Sequence, residues 1–339
     1  MKISDRRRVT RSGLEVTLLG LGGAAFGGLY SQVSAADALA AMRAAWGAGV
    51  RYFDSAPMYG LGRAELLLGH FLREDGEDGA GATVSTKVGR LIAGERHTRD
   101  GVAGAPSNPF APEWRDGLKF TEVFDYSYDA ILRSFDDSQQ RLGRPGIDLL
   151  FVHDIGRATH AERHDFHWRA LTSGGGFRAL EELRAAGLIK GFGLGVNETD
   201  IIHDAMNESD LDCCLLAGRY SLLDRSADAL LSKARAQGVA LVIGGVFNSG
   251  ILAAGAGRER KFNYADAPAH IAARVDELAR ICAKFDVPLG AAALQFPLRD
   301  ARVASILVGA RSAAEVATNL EWFEHKIPAE LWAAIDASG

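Results

Sequence analysis

Cysteine is scarce in this chain: Cys213, Cys214 and Cys282 are the only three among 339 residues. So few thiols exclude a disulfide framework and point to a reducing compartment, with buried, inert sulfur as the default. Basic charge is not in surplus either. Lys and Arg number 38 against 43 Asp and Glu, a net charge of −5. No Arg or Lys stripe offsets it, which argues against a general nucleic-acid binder. No apolar run is long enough to span a bilayer. The basic start Met1–Arg8, ahead of the apolar stretch Val16–Leu29, has the outline of an export signal. Glu15 interrupts it, however, and Gly20, Gly22, Gly23, Gly27 and Gly28 break the apolar run. A cytoplasmic location is the expectation. No repeat, low-complexity tract or linker divides the chain, so residues 1–339 are expected to form one domain.

Several familiar chemistries are missing too. There is no G-x-S-x-G elbow for a serine hydrolase. Gly20-Leu21-Gly22-Gly23-Ala24-Ala25 matches the dinucleotide fingerprint, but that fingerprint requires a helix to start on its glycines. Here glycines continue to Gly28, and the first helix signal is Ser34, a cap with Asp37 three residues on. His160, His164 and His167 have metal-ligand spacing. They sit among Arg157, Arg163 and Arg169, which oppose a divalent ion, so Gly156–Thr172 is expected to be a long solvated or substrate-contacting loop with no metal.

What is present is an alternation. Strand-like runs occur at Leu18–Gly22, Val50–Asp54, Ala82–Thr86, Asp148–His153, Gly191–Val196, Asp212–Ala217, Val239–Ile243 and Ala304–Val308. They are mostly continuous apolar runs, as expected of parallel strands buried on both faces. Between them lie helical patterns: Leu39, Met42 and Trp46; Ile131, Leu132, Phe135 and Leu142; Leu180, Leu183 and Leu188; Leu230, Leu231 and Ala234. Eight strand–helix alternations read as an α/β fold, a (β/α)8 TIM barrel. Additional pieces are a hairpin over Arg8–Val16 turning at Ser12-Gly13, a long segment Arg90–Thr121 in the position of a substrate-side lid, and a helix over Ala269–Phe285 before strand eight.

Four polar residues stand at or just beyond strand ends: Asp54, Tyr59, Lys87 and His153. In a closed parallel barrel those ends meet at the mouth where catalytic groups gather. A tyrosine hydroxyl beside a lysine ammonium that is paired to a carboxylate is a tuned proton donor. The free phenol has a pKa of about 10, and a neighbouring positive charge favours the phenolate.

With the motifs FDSAPMYG, STKVG and LLFVHD in that order, the chain resembles the aldo-keto reductase superfamily over nearly its whole length. The resemblance implies a small-molecule oxidoreductase, a monomer or small homo-oligomer, with Tyr59 as proton donor and acceptor. Lys87 lowers the tyrosine pKa, Asp54 orients Lys87, and His153 bonds the substrate oxygen. It implies NAD or NADP as cofactor, with contacts at Gly23, Asp54, Asn197, Phe247, Asn248, Ser249, Gly250, Gly309, Arg311, Glu315 and Asn319. Departures from the wider family fall at Asn197, at Ala217 where a Gln is usual, and at Gly244 where an aromatic often stacks. VHDIG, GVNE, LAGRYSLLD and GGVFNSG look like the sugar-oxidising branch, the aldose 1-dehydrogenases of the L-fucose and D-threo-aldose type. L-galactose and pyridoxal dehydrogenases are relatives of that branch. Oxidation of a free aldose at C1 to its lactone is therefore expected, with a general NADPH-dependent aldehyde or ketone reductase, or pyridoxal 4-dehydrogenase activity, as the alternatives. Trp114, Trp168 and Arg157 are candidate substrate contacts. Glu315 in place of a basic residue favours NAD over NADP.

Overall fold

The computed structural model describes residues 1–74, 79–94, 114–254, 260–263 and 265–338. The chain enters through an antiparallel hairpin, β1 (Arg6–Arg8) and β2 (Glu15–Thr17), with Gly13 at φ +95° in its turn. In chain order follow β3 (Leu19–Gly22), β4 (Tyr52–Asp54), β5 (Thr83–Val88), a side hairpin of β6 (Arg90–Ala93) and β7 (Thr121–Phe124), then β8 (Leu149–His153), β9 (Gly191–Val196), β10 (Cys213–Ala217) and β11 (Ala240–Gly244). A two-residue pair, β12 (Lys261–Phe262) and β13 (Ala265–Asp266), precedes β14 (Val303–Gly309). Strands β3, β4, β5, β8, β9, β10, β11 and β14 form a closed barrel in that order, each parallel to the next, and β14 pairs back to β3. The expected eight-stranded barrel is what the chain forms, with strand ends within two residues of the sequence reading.

The continuous apolar strands make sense because both faces are covered. Tyr52, Leu149, Phe151, Cys213, Leu215, Val242, Ala304 and Leu307 point inward and fill the barrel. Val9 and Val16 of the hairpin join that cluster and close one end. The alternate residues, such as Phe53, Val84, Val88, Leu150 and Val152, face the helices in the outer core. With one end plugged, the opening at the C-terminal strand ends is the one left for a site.

The first helix, Ala35–Gly47, begins where Ser34 Oγ accepts from the Asp37 N–H at 3.0 Å. Beyond it Gly49, at φ +101°, turns the chain into β4. The added helix before the last strand spans Ala269–Ala283. Two further helices, Leu289–Gln295 and Ala329–Ala337, were not expected.

Two expectations need correction. The helix Gly176–Ala185 ends before Leu188, which is exposed because Gly187, at φ +75°, has already turned the chain toward β9. Gly156–Thr172 is largely helical, over Arg157–His160 and His164–Leu171. The ends of the proposed lid pair as β6 and β7, while its middle, 95–113, lies outside the described residues.

Candidate active site

Strand period places the polar groups of β4 and β5. Ser85 and Lys87 are two apart on β5, and Tyr52 and Asp54 are two apart on β4, so all four point into the barrel. Lys87 Nζ donates to Asp54 Oδ2 at 2.7 Å and to the Ser55 carbonyl at 2.8 Å. Ser85 Oγ donates to the other Asp54 oxygen at 2.7 Å and lies 3.1 Å from Tyr52 Oη. Both charged groups are almost fully buried, Lys87 at 2% and Asp54 at 3% exposure. Gly195 on β9 leaves the room: a Cβ there would stand 3.4 Å from Lys87 Cε.

Tyr59 reaches the same spot from the turn after β4. A Cβ on Gly27 would lie 2.3 Å from the Gly60 nitrogen, so the glycine lets the loop after β3 seat the Tyr59 turn by direct backbone contact. The Tyr59 N–H donates to the Ala56 carbonyl at 3.1 Å, and its own carbonyl accepts from Ala64 N at 3.1 Å. Lys87 Nζ stands 4.5 Å from the Tyr59 ring centre.

Burial works against the Lys87 ammonium, but Asp54 and Tyr59 more than offset it and hold its pKa above the ordinary lysine value. Lys87 acts on Tyr59 in the expected direction, but burial is the larger influence. Burial raises the phenol pKa above 10.0; Lys87 pulls it down, Asp54 opposes Lys87, and the net direction is upward. In the resting site Tyr59 is therefore a held proton, not a phenolate.

His153, the last residue of β8, closes the group, its ring edge-on to Tyr59 at 6.0 Å. Burial, with the charges of Arg90 and Lys87, holds its pKa well below 6.5, so it is neutral. Its Nδ1 is buried without a hydrogen-bond partner among the described residues. Its Nε2 lies 3.6 Å from Asp154 Oδ2, and that carboxylate favours the tautomer with the proton on Nε2. The Tyr126 hydroxyl donates to the His153 carbonyl at 2.7 Å and fixes the strand end.

Tyr59, Lys87, His153 and Asp154 line one cavity of about 80 Å³ together with Leu29, Met58, Trp114, Asn197 and Leu215. Trp114 is fixed by a backbone bridge to Leu29, and its ring is 5.8 Å from Tyr59. The other two candidate contacts lie elsewhere. Trp168 stacks on His164 and packs against Phe177, because its segment is helical and turns that face to the neighbouring helix. Arg157 is exposed and paired to Asp204 at 3.0 Å. The three histidines are corrected as well: His160, His164 and His167 are buried, not solvated. His160 ends one short helix and His167 lies on the next, and both rings pack against Phe124 and Tyr126; burial drops His160 to about 3 and His167 to about 4. Among the described residues no cluster of metal ligands occurs.

The residues expected to contact a nicotinamide cofactor lie at or beyond the C-terminal ends of β3, β4, β9, β11 and β14. Gly23 lies below Asp54, where a Cβ would meet the Asp54 carbonyl at 2.9 Å. Asn197 lines the cavity and donates to the Ala217 carbonyl at 3.2 Å. After β11, Asn248, Ser249 and Gly250 all have positive φ, and Phe247 packs edge-on against Trp322. The Asn248 Oδ1 is a buried acceptor with no partner among the described residues. That orphan beside a mouth lined with glycine, and the helix Ala313–Glu324 whose N-terminus opens on it after Gly309, suit a dinucleotide. Arg311 is held by Glu315, which accepts from its backbone N–H at 2.8 Å and from its Nε at 2.9 Å. Asn319 lies one turn further along that helix, partly buried.

Sequence reasoning missed Ser85, Arg90, Tyr126 and Asp154. Ser85 was findable, since it is two residues from Lys87 on one strand. Arg90 is wholly buried between Glu122, reached by its Nε at 2.5 Å, and Asp154. No local pattern announces that pairing.

The model of the aldo/keto reductase family matches residues 18–339. The chain is 61% identical to a pyridoxal 4-dehydrogenase of Microbacterium luteolum, over 100% of this chain and 98% of that protein. It is 38% identical to a D-threo-aldose 1-dehydrogenase of a Pseudomonas species, covering 96% of this chain and 94% of the relative. Among solved structures, the holo form of an aldo-keto reductase from Bacillus halodurans superposes with a TM-score of 0.73 at 22% identity, over 98% and 96% of the two chains.

Proposed function

This chain belongs to the aldo/keto reductase family as a nicotinamide-dependent oxidoreductase of the sugar and aldehyde type, and we propose that it oxidises the hemiacetal carbon of a cyclised aldehyde to a lactone with NAD. The two relatives' named substrates share that form. An aldose closes on its own hydroxyl, and pyridoxal carries a hydroxymethyl group beside its aldehyde that closes in the same way. Pyridoxal is the first substrate to test, because of the 61% identity; free aldoses such as L-fucose, D-arabinose and L-galactose come next.

The observation that carries the reading is the buried Asp54–Lys87 pair against Tyr59, beneath a cavity walled by Trp114, Leu29, Met58 and Leu215. Such walls suit the flat face of an aromatic or sugar ring. When bound, a nicotinamide supplies the hydride acceptor. The protein's part is the proton. Neutral His153 donates from Nε2 to the substrate oxygen and orients it toward Tyr59. Tyr59 acts as the base once its own proton has passed to solvent: the Lys87 ammonium stabilises that phenolate, which takes the hemiacetal O–H proton and becomes the phenol again. Asp54, locked by Ser85, keeps Lys87 charged and aimed. Positioned acid–base chemistry of this kind contributes about 10²–10⁴-fold in rate.

The choice of NAD follows from Arg311. Its guanidinium and backbone N–H are already engaged by Glu315, with Ser31 Oγ 3.2 Å from its Nη1. An adenosine 2′-phosphate would have to displace a carboxylate and then face it.

The test is a nicotinamide absorbance assay with pyridoxal, the three aldoses and simple aromatic aldehydes, run in both directions with both cofactors. Oxidation of pyridoxal or an aldose with NAD supports the proposal. Rapid NADPH-dependent reduction of simple aldehydes without oxidation of any hemiacetal would replace it by a general reductase.

A further inference from the structure

We propose that Asp154 is a second polar contact for the substrate, accepting a hydrogen bond from the hydroxyl that neighbours the reacting carbon: the 2-hydroxyl of an aldose, or the ring hydroxyl flanking the aldehyde of pyridoxal. The proposal rests on the hemiacetal reading above and adds to it a residue that decides which hemiacetals are preferred.

Asp154 follows directly on His153, and in a continued strand its side chain would point away from the barrel. It does not, because its backbone turns into the left-handed region at φ +49°. That conformation is unusual for a residue with a side chain, and functional sites are where such outliers concentrate. Its N–H is tied to the Gly195 carbonyl at 3.0 Å, and Tyr126 holds the preceding carbonyl at 2.7 Å, so the turn is fixed from two sides. The result places Asp154 in the cavity lining beside Tyr59, Lys87 and His153.

The carboxylate is 6% exposed, and it makes no hydrogen bond to Tyr59 or Lys87. Burying it is costly unless it is paired. The wholly buried Arg90 supplies the pair through Nη1 to Oδ2, and is itself held from behind by Glu122. Among the described residues no group donates to the second oxygen, Oδ1, yet Oδ1 is not among the sealed, partnerless atoms such as His153 Nδ1. A fixed, charged acceptor therefore remains available on the cavity side. With Oδ2 only 3.6 Å from His153 Nε2, a substrate oxygen bonded to His153 brings the hydroxyl on the adjoining atom within reach of Asp154.

A hydrogen bond to a buried charged acceptor discriminates against an analogue lacking the donor by about 10- to 100-fold in kcat/KM. The experiment compares two pairs of substrates with the full chain at saturating NAD: pyridoxal with 3-deoxypyridoxal, and D-arabinose with 2-deoxy-D-ribose, which is D-arabinose without its 2-hydroxyl. In the wild type the hydroxylated member of each productive pair is expected to be favoured by about 10-fold or more. Asp154→Asn should bring the ratio to within about threefold, chiefly by raising KM for the hydroxylated substrate. Arg90→Met combined with Asp154→Leu leaves no orphaned charge and should also remove the preference. Glu122→Gln disturbs Arg90 from outside the cavity and should leave the ratio as in the wild type. If Asp154 only anchors Arg90, Asp154→Asn will slow both members of a pair equally and the ratio will survive, which overturns the proposal. A wild-type ratio near one overturns it without any variant. A wild type that oxidises neither pyridoxal nor D-arabinose nor any other hemiacetal overturns the proposed function itself, and this proposal with it.

Discussion

Lys87→Met tests whether the pair at the heart of the site is as desolvated as its geometry implies. Lys87 and Asp54 are 2% and 3% exposed and 2.7 Å apart. Removing the ammonium strands a carboxylate that, among the described residues, has Ser85 as its only other hydrogen-bond donor. Breaking a buried pair from one side costs about 3–5 kcal/mol. At roughly 2–4 °C per kcal/mol for a large domain, the melting midpoint should fall by about 6–20 °C. Adding Asp54→Asn removes the orphaned charge, so the double variant should recover most of that loss and the coupling energy should be at least about 2 kcal/mol. Activity should not return, since no ammonium then faces Tyr59. The assay is thermal unfolding of wild type, both singles and the double, with turnover measured on the same preparations. A Lys87→Met midpoint within about 2 °C of wild type would show that water reaches Asp54. A double variant no more stable than Lys87→Met would show that the loss is one of packing, not of charge.

Gly27→Ala places a Cβ 2.3 Å from the Gly60 nitrogen, so the Tyr59 turn must shift; kcat should fall at least tenfold, and unchanged kcat would remove Gly27 from the positioning of Tyr59. Glu315→Arg should narrow or reverse the preference for NAD, measured as kcat/KM with each cofactor at saturating substrate. A wild type preferring NADP tenfold, about 1.4 kcal/mol, would mean that Arg311 outweighs Glu315. Burial lowers the folded-state pKa of His160 to about 3 and of His167 to about 4, whereas the unfolded chain takes up those protons near 6.5. Stability is therefore full above about pH 6.5 and falls as pH drops toward about 4 and then 3, by at most about 1.4 kcal/mol per pH unit for each group. His167→Phe should flatten the acid limb of the melting midpoint against pH; an unchanged slope would assign that limb to other groups.

Much of this was legible in the sequence because a parallel barrel has one rule for placing its polar residues. Continuous apolar strands announced the barrel, and a polar residue at a strand's C-terminal end announced the mouth. Asp54, Lys87 and His153 obeyed that rule, and Tyr59 followed from the turn after Asp54. Asp154 did not follow, since its place in the cavity depends on a backbone turn at φ +49° that neither period two nor composition signals. The charge of the His160–His167 segment suggested solvent, whereas the chain turns at Ala161, φ +45°, between two short helices and buries all three rings. Trp168 was misplaced with it. The sign of the Lys87 effect on Tyr59 was legible, and the net shift was not. The sequence displays a neighbouring lysine but not the depth of burial, and burial is the larger influence.

The most direct measurement of the central claim is turnover of Tyr59→Phe alongside its equilibrium binding of NAD. The phenol oxygen is the only group removed, and the Tyr59 ring still packs beside Trp114 and Lys87. Loss of the proton-transferring group should lower kcat by more than about 10²-fold, while the Kd for NAD stays within about threefold of wild type. Turnover near that of the wild type, with cofactor binding intact, would contradict the account.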